Sequence, residues 1–213
     1  MEKIKTITLN LSMFLSYFIF QFVPILIASL YGANNTTLII TYLVYLLFVI
    51  YVYKTELKVD YINLKVKNII KYIPIYLIGI VLMGISNYCL GKITNIDLAS
   101  NEETVRLLIK KVPIYMCFST CIFAPIVEEI IFRKTIKNIF KNKYFFIILS
   151  GLIFGLVHLS FAKINLDELL MIIPYVIMGI DFAYIYHKSN NIFTTITLHT
   201  IHNLILLIIQ FVS

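Results

Sequence analysis

The chain has 213 residues, 60% hydrophobic and 14% charged, with a mean hydropathy of +0.91. Ordinary globular proteins carry roughly 45–50% apolar and about 25% charged residues, so a soluble enzyme, a secreted disulfide scaffold and a disordered chain are excluded. The formal net charge of +7 does not point to nucleic acid, because most Lys and Arg residues fall in the gaps between apolar blocks, where they set topology.

A spanning helix needs ~20 apolar residues, and the sequence divides into about seven such blocks. The fold class expected is therefore all-α: a polytopic transmembrane helical bundle. The blocks run from about Thr6 to Leu30, Thr36 to Tyr53, Ile69 to Leu90, Pro113 to Phe132 with a basic tail to Phe140, Tyr144 to Phe161, Leu166 to Tyr186, and Ile192 to Val212. Between the third and fourth lies a polar stretch, Gly91 to Lys111, in which Ser100 and Glu103 have capping-box spacing. The first block follows basic residues, as a signal sequence does, but it is longer than a 7–15-residue signal core and reads as an uncleaved span. Cys89, Cys117 and Cys121 show no CxxC spacing and read as packing residues.

The dense basic loops carry Lys54 to Lys71, Arg133 to Lys143, and His187 with Lys188. They fall on one side if the N-terminus is cytoplasmic, which is the orientation the positive-inside rule selects. The C-terminus is then outside, in a multi-pass protein of the cell membrane.

Ionisable groups inside spans are functional hypotheses by default. Glu128, Glu129 and Arg133 lie in the fourth block, His158 in the fifth, Asp181 in the sixth, and His199, His202 and Asn203 in the seventh. If the fourth and fifth blocks form a hairpin turning at Asn142, Glu128 and His158 lie ~21 Å and ~24 Å along their helices from that turn. Glu129 and Arg133, at i,i+4, can pair on one helical face, while Glu128 is rotated about 100° away. His199 and Asn203 also share a face. Such a set supplies a carboxylate, which is a stronger base in a low-dielectric cavity than in water, and donors for a developing oxyanion. Water is the natural nucleophile. The duller readings are an acidic juxtamembrane pair, structural histidines and an interhelical asparagine; three groups at compatible depths argue against them jointly.

Glu128-Glu129-Ile130-Ile131-Phe132-Arg133, Phe154-Gly155-Leu156-Val157-His158 and His199-Thr200-Ile201-His202-Asn203 resemble the EExxFR, FxxxH and HxxxN motifs of the CAAX protease and bacteriocin-processing (CPBP, or Abi) intramembrane peptidases. The resemblance implies a catalytic helical core over residues 113–213 and an N-terminal part, residues 1–112, within one integrated membrane domain. The active site would lie buried between the C-terminal spans. It also implies that Glu128 with His158 activates water, that His199 and Asn203 stabilise the oxyanion, and that Glu129 and Arg133 support the site; His202 inherits no role. A metal-free mechanism without cofactor is favoured. Zinc is the alternative, since two His and a carboxylate commonly bind it and Glu128, His158 and His199 could supply them. The implied partners are the lipid bilayer and a membrane-associated peptide or protein substrate, in CAAX-type processing, peptide maturation or self-immunity, in a bacterial source. Two other classes remain: a catalytically idle member acting as a membrane regulatory or immunity protein, and a proton-coupled transporter using the buried Glu and His.

Overall fold

The computed structural model describes residues 2–94, 99–159 and 165–212. Its described elements are helices: α1 (Glu2–Phe20), α2 (Phe22–Tyr31), α3 (Asn35–Ile62), α4 (Val66–Thr94), α5 (Ser100–Lys111), α6 (Pro113–Ile139), α7 (Lys143–Leu156), α8 (Leu166–Leu170), α9 (Ile173–Ser189) and α10 (Ile192–Val212). Six segments are long and apolar enough to cross a membrane, with α1 and α2 forming one of them and α8 and α9 another. The seventh expected span is α7, a shorter helix of 14 residues. The chain is a multi-pass helical membrane protein.

Two expectations need adjusting. The first block is broken at Gln21, between α1 and α2. Pro24 explains the break, since its ring clashes with the Phe20 carbonyl and it cannot donate to it. The capping box is not used either. The residue before α5 is Ala99, which offers no side-chain cap, and Ser100 turns instead to Glu168 of α8. The Ser100 amide donates to Glu168 Oε2 at 3.3 Å and the Ser100 hydroxyl bonds the same carboxylate. A buried acid at a helix N-terminus meets both the free N–H groups and the positive end of the dipole.

The core joins α1, α3 and α6 through aromatic rings. Phe20 stacks on Tyr45 at 4.1 Å, and Tyr42 meets Phe123 edge-on at 4.5 Å. A buried polar node fixes their relative height: the Tyr53 hydroxyl donates to Asn10 Oδ1 at 2.9 Å and shares a 2.7 Å hydrogen bond with Thr135 Oγ1. Hydrogen bonds of this kind register one helix against another where lipid offers no hydrophobic penalty for sliding.

Helices α7 and α9 cross at glycines. A Cβ on Gly179 would fall 2.9 Å from Gly151 Cα, and one on Gly151 would fall 2.4 Å from Ile180 Cγ1. The backbones touch, which is how small residues drive helix association in lipid. Gly179→Ala is therefore expected to cost about 1–3 kcal/mol, the usual range for overpacking, because backbone atoms rather than a flexible side chain oppose the new methyl. Thermal unfolding in detergent checks this. Gly84→Ala, where nothing lies within 4 Å, is the neutral control.

Candidate active site

Helix α6 is α-helical except at two π turns, Ser119–Phe123 and Ile130–Thr135, which flank Glu128 and Glu129. The first has a local cause. The Ala124 amide reaches back five residues to the Ser119 carbonyl, and Pro125 has no N–H, so the Thr120 carbonyl loses its helical donor. Asn203 supplies one from α10, with Nδ2 at 2.8 Å from Thr120 O. Such one-turn bulges rotate the residues that follow relative to those before, and they recur at functional sites.

Glu129 and Arg133 are fully buried, with Arg133 Nε and Glu129 Oε2 3.2 Å apart as an ion pair. The guanidinium also donates to Ser150 Oγ of α7 at 2.8 Å and lies 4.7 Å over the Phe154 ring. Glu129 Oε1 meets His199 Nδ1 of α10 at 3.0 Å. One carboxylate thus ties α6 to α10 while its partner ties α6 to α7. Nothing in the sequence flagged Ser150, whose hydroxyl donates in turn to the Phe132 carbonyl at 2.6 Å.

Glu128 faces a different space, as its rotation from Glu129 requires. It lines a cavity of about 790 Å³ together with His158, His199, His202 and Asn203. Tyr17 of α1 lines the same cavity, 111 positions from Glu128 in sequence, and no motif announces it. The cavity reaches the surface at Asn87, Tyr88 and Lys92 near the C-terminal end of α4, the end opposite the basic loops.

His158 does not sit within a helix, as the expected fifth span to Phe161 had it. Helix α7 stops at Leu156, and Ser160 and Phe161 fall outside the described residues. The His158 ring lies 2.7 Å, through Nδ1, from the Phe154 carbonyl, one of the acceptors a helix end leaves unpaired. It stacks on Tyr175 at 4.4 Å. A carbonyl only accepts, so Nδ1 carries the proton and Nε2 of the neutral ring is an acceptor. The same logic applies to His199, whose Nδ1 donates to Glu129 while its ring stacks on Phe182 at 5.0 Å. With Nδ1 donating to Glu129, His199 can also donate through Nε2 only when both ring nitrogens carry protons. His202 also lines the cavity, with Nδ1 3.4 Å from the Tyr76 hydroxyl.

Asp181 is elsewhere. It packs against α4, where a Cβ on Gly79 would come within 2.8 Å of its Cγ, and it is not among the residues lining the cavity. Two imidazole Nε2 atoms and a carboxylate are ligand types that suit zinc. Among the described residues, no three His, Cys, Asp or Glu side chains gather closely enough to hold a metal ion.

Comparison with known proteins bears on the same segment. The profile of the family described as "Type II CAAX prenyl endopeptidase Rce1-like" matches residues 110–205. The chain is 35% identical to YdiL of Bacillus subtilis, whose name makes it a candidate membrane peptidase, over 115 residues covering 53% of this chain and 43% of YdiL. It is 28% identical to the membrane-embedded CAAX protease MroQ of Staphylococcus aureus, over 92% of this chain and 87% of MroQ. It is also 28% identical to the UPF0177 protein YvdC of Lactococcus lactis, over 94% of this chain and 78% of YvdC. The chain spans less than half the length of YdiL. No solved structure matches at comparable significance.

The two acids should differ in what they do for stability. Glu129→Gln or Arg133→Ala leaves a buried charge without its partner and is expected to cost ~3–5 kcal/mol. Glu128→Gln, at the cavity wall, should cost much less. Thermal unfolding of the three purified variants decides it, and a larger loss for Glu128→Gln reverses the assignment.

Proposed function

We propose that this chain, which resembles the CPBP family of intramembrane peptidases over residues 110–205, is an endopeptidase that hydrolyses a peptide bond of a membrane-associated peptide or protein. One observation carries this reading: Glu128, His158, His199 and Asn203, drawn from α6, the turn after α7, and α10, line a single cavity.

In the proposed reaction the Glu128 carboxylate and His158 Nε2, both acceptors, take the two O–H groups of one water and aim its oxygen lone pair at the scissile carbonyl. Glu128 removes a proton as the new C–O bond forms. The carbonyl oxygen becomes an oxyanion, held by the second N–H of the Asn203 amide and by His199 as imidazolium. Those donors are fixed beforehand, Asn203 by Thr120 and His199 by Glu129, so little reorganisation accompanies the charge. Collapse of the tetrahedral intermediate breaks the C–N bond, and the proton held by Glu128 passes to the leaving amine. No metal takes part.

The substrate would reach the cavity at the Asn87–Lys92 end. With the N-terminus cytoplasmic, as the basic loops favour, that end is extracytoplasmic.

Purified protein and candidate membrane peptides test the reading. Glu128→Gln is expected to abolish cleavage while the protein stays folded in the membrane; full biological activity in that variant would instead favour the idle regulator. Asn203→Ala should lower turnover about 10²–10³-fold, the usual effect of one oxyanion donor. Exhaustive chelation should leave hydrolysis intact, and chelator-sensitive activity restored by stoichiometric zinc would defeat the metal-free mechanism.

A further inference from the structure

At the end of the bundle that carries the basic loops, a second cavity of about 320 Å³ lies between the end of α6, the start of α7 and the α9–α10 turn. Its walls present Lys137, Lys141, Lys143, His187 and Asn190. The acid at its edge is already matched, since Asp60 Oδ2 stands 2.8 Å from Lys134 Nζ and Glu56 Oε2 stands 3.3 Å from the same ammonium. Three lysine charges therefore converge on one small space. Like charges gathered this way repel one another, and an anion among them removes the repulsion.

Lys137 is held in place, while Lys141 and Lys143 are exposed on the adjoining turn. Lys137 Nζ donates to Asn190 Oδ1 at 2.9 Å and lies 4.4 Å over the Tyr186 ring. Asn190 itself adopts the left-handed conformation, with φ of 49°, which an asparagine tolerates better than most residues. Lys141 and Lys143 flank Asn142, whose Oδ1 accepts from the Tyr144 and Phe145 amides at 3.1 Å each, so the α6–α7 turn that carries them is fixed. Lys143 Nζ lies 4.7 Å over the Tyr144 ring. Phe140 and Phe146 add an apolar wall. Helix ends at this level meet the headgroup layer, where basic pockets between spans collect anionic lipid.

We propose that this cavity is a binding site for a phosphate group, presented by an anionic phospholipid or free in solution. It shares no lining residue with the Glu128 cavity, and Lys137 lies ~12 Å along α6 from Glu129 at 1.5 Å per residue. A lysine ammonium is a suitable point charge for phosphate, and an apolar wall beside it suits the glycerol and acyl portion of a lipid.

The test uses the purified full chain in detergent, with its unfolding temperature followed while dioctanoyl phosphatidylglycerol, dioctanoyl phosphatidylcholine or inorganic phosphate is added. A saturable rise with phosphatidylglycerol and none with phosphatidylcholine supports a lipid-borne phosphate. An equal rise with inorganic phosphate at the same concentration supports the free anion as the source. In Lys141→Gln/Lys143→Gln the apparent affinity should fall roughly fivefold for each lysine removed. Lys110→Gln/Lys111→Gln, at the other end of the bundle, should bind as the parent does. The proposal is overturned if phosphatidylcholine stabilises equally, if no ligand shifts the unfolding temperature, or if the Lys141/Lys143 variant responds unchanged.

Discussion

The Glu129–Arg133 ion pair is the constraint on which the rest of the site depends. Two charges with no exposure to solvent are tolerable only if each has further polar partners, and the partners they have belong to other helices. Ser150 places α7 and His199 places α10. The electrostatic need of one helix therefore sets the relative height of three. It also orients the His199 ring, because a carboxylate on Nδ1 aims Nε2 away from the pair.

The π turns on either side complete that geometry. A regular α-helix would carry Glu128 and Glu129 on faces fixed by a 100° step from Pro113 onward. The bulge at Ser119–Phe123 shifts that phase, so the turn carrying Thr120 can meet Asn203 while the turn carrying Glu129 meets His199. The backbone irregularity and the amide that satisfies it are one unit: without Asn203 the Thr120 carbonyl would lack a donor in a medium where that is expensive. The amide thus has a structural duty beside any chemical one.

Much of this arrangement could be read from the sequence because helical spacing is local. The i,i+4 relation of Glu129 and Arg133, the 100° offset of Glu128 and the shared face of His199 and Asn203 follow from 3.6 residues per turn, and the turn at Asn142 from the polar break between two apolar blocks. What could not be read depends on tertiary contact. Tyr17 joins Glu128 in lining the cavity from a span without any motif, and Asp181 sits against Gly79 of α4. Nor does periodicity reveal that α7 stops at Leu156, since Val157 and Leu159 continue the apolar pattern. The end is made by His158 folding back on Phe154. The family resemblance, drawn from three short motifs, fell within the residues the family profile matches, while roles for individual residues lay beyond what either comparison addresses.

The shortness of α7 has a consequence for the surrounding membrane. Fourteen residues rise only ~21 Å, well under the ~30 Å hydrocarbon thickness of a typical bilayer. Lipids beside its end face a hydrophobic mismatch, relieved by local thinning or by polar matter drawn inward. The leaflet next to His158 is then a second route for water into the site, beside the opening at Asn87, Tyr88 and Lys92. Acyl-chain length, a property of the host lipid and not of the chain, becomes a determinant of how wet that site is.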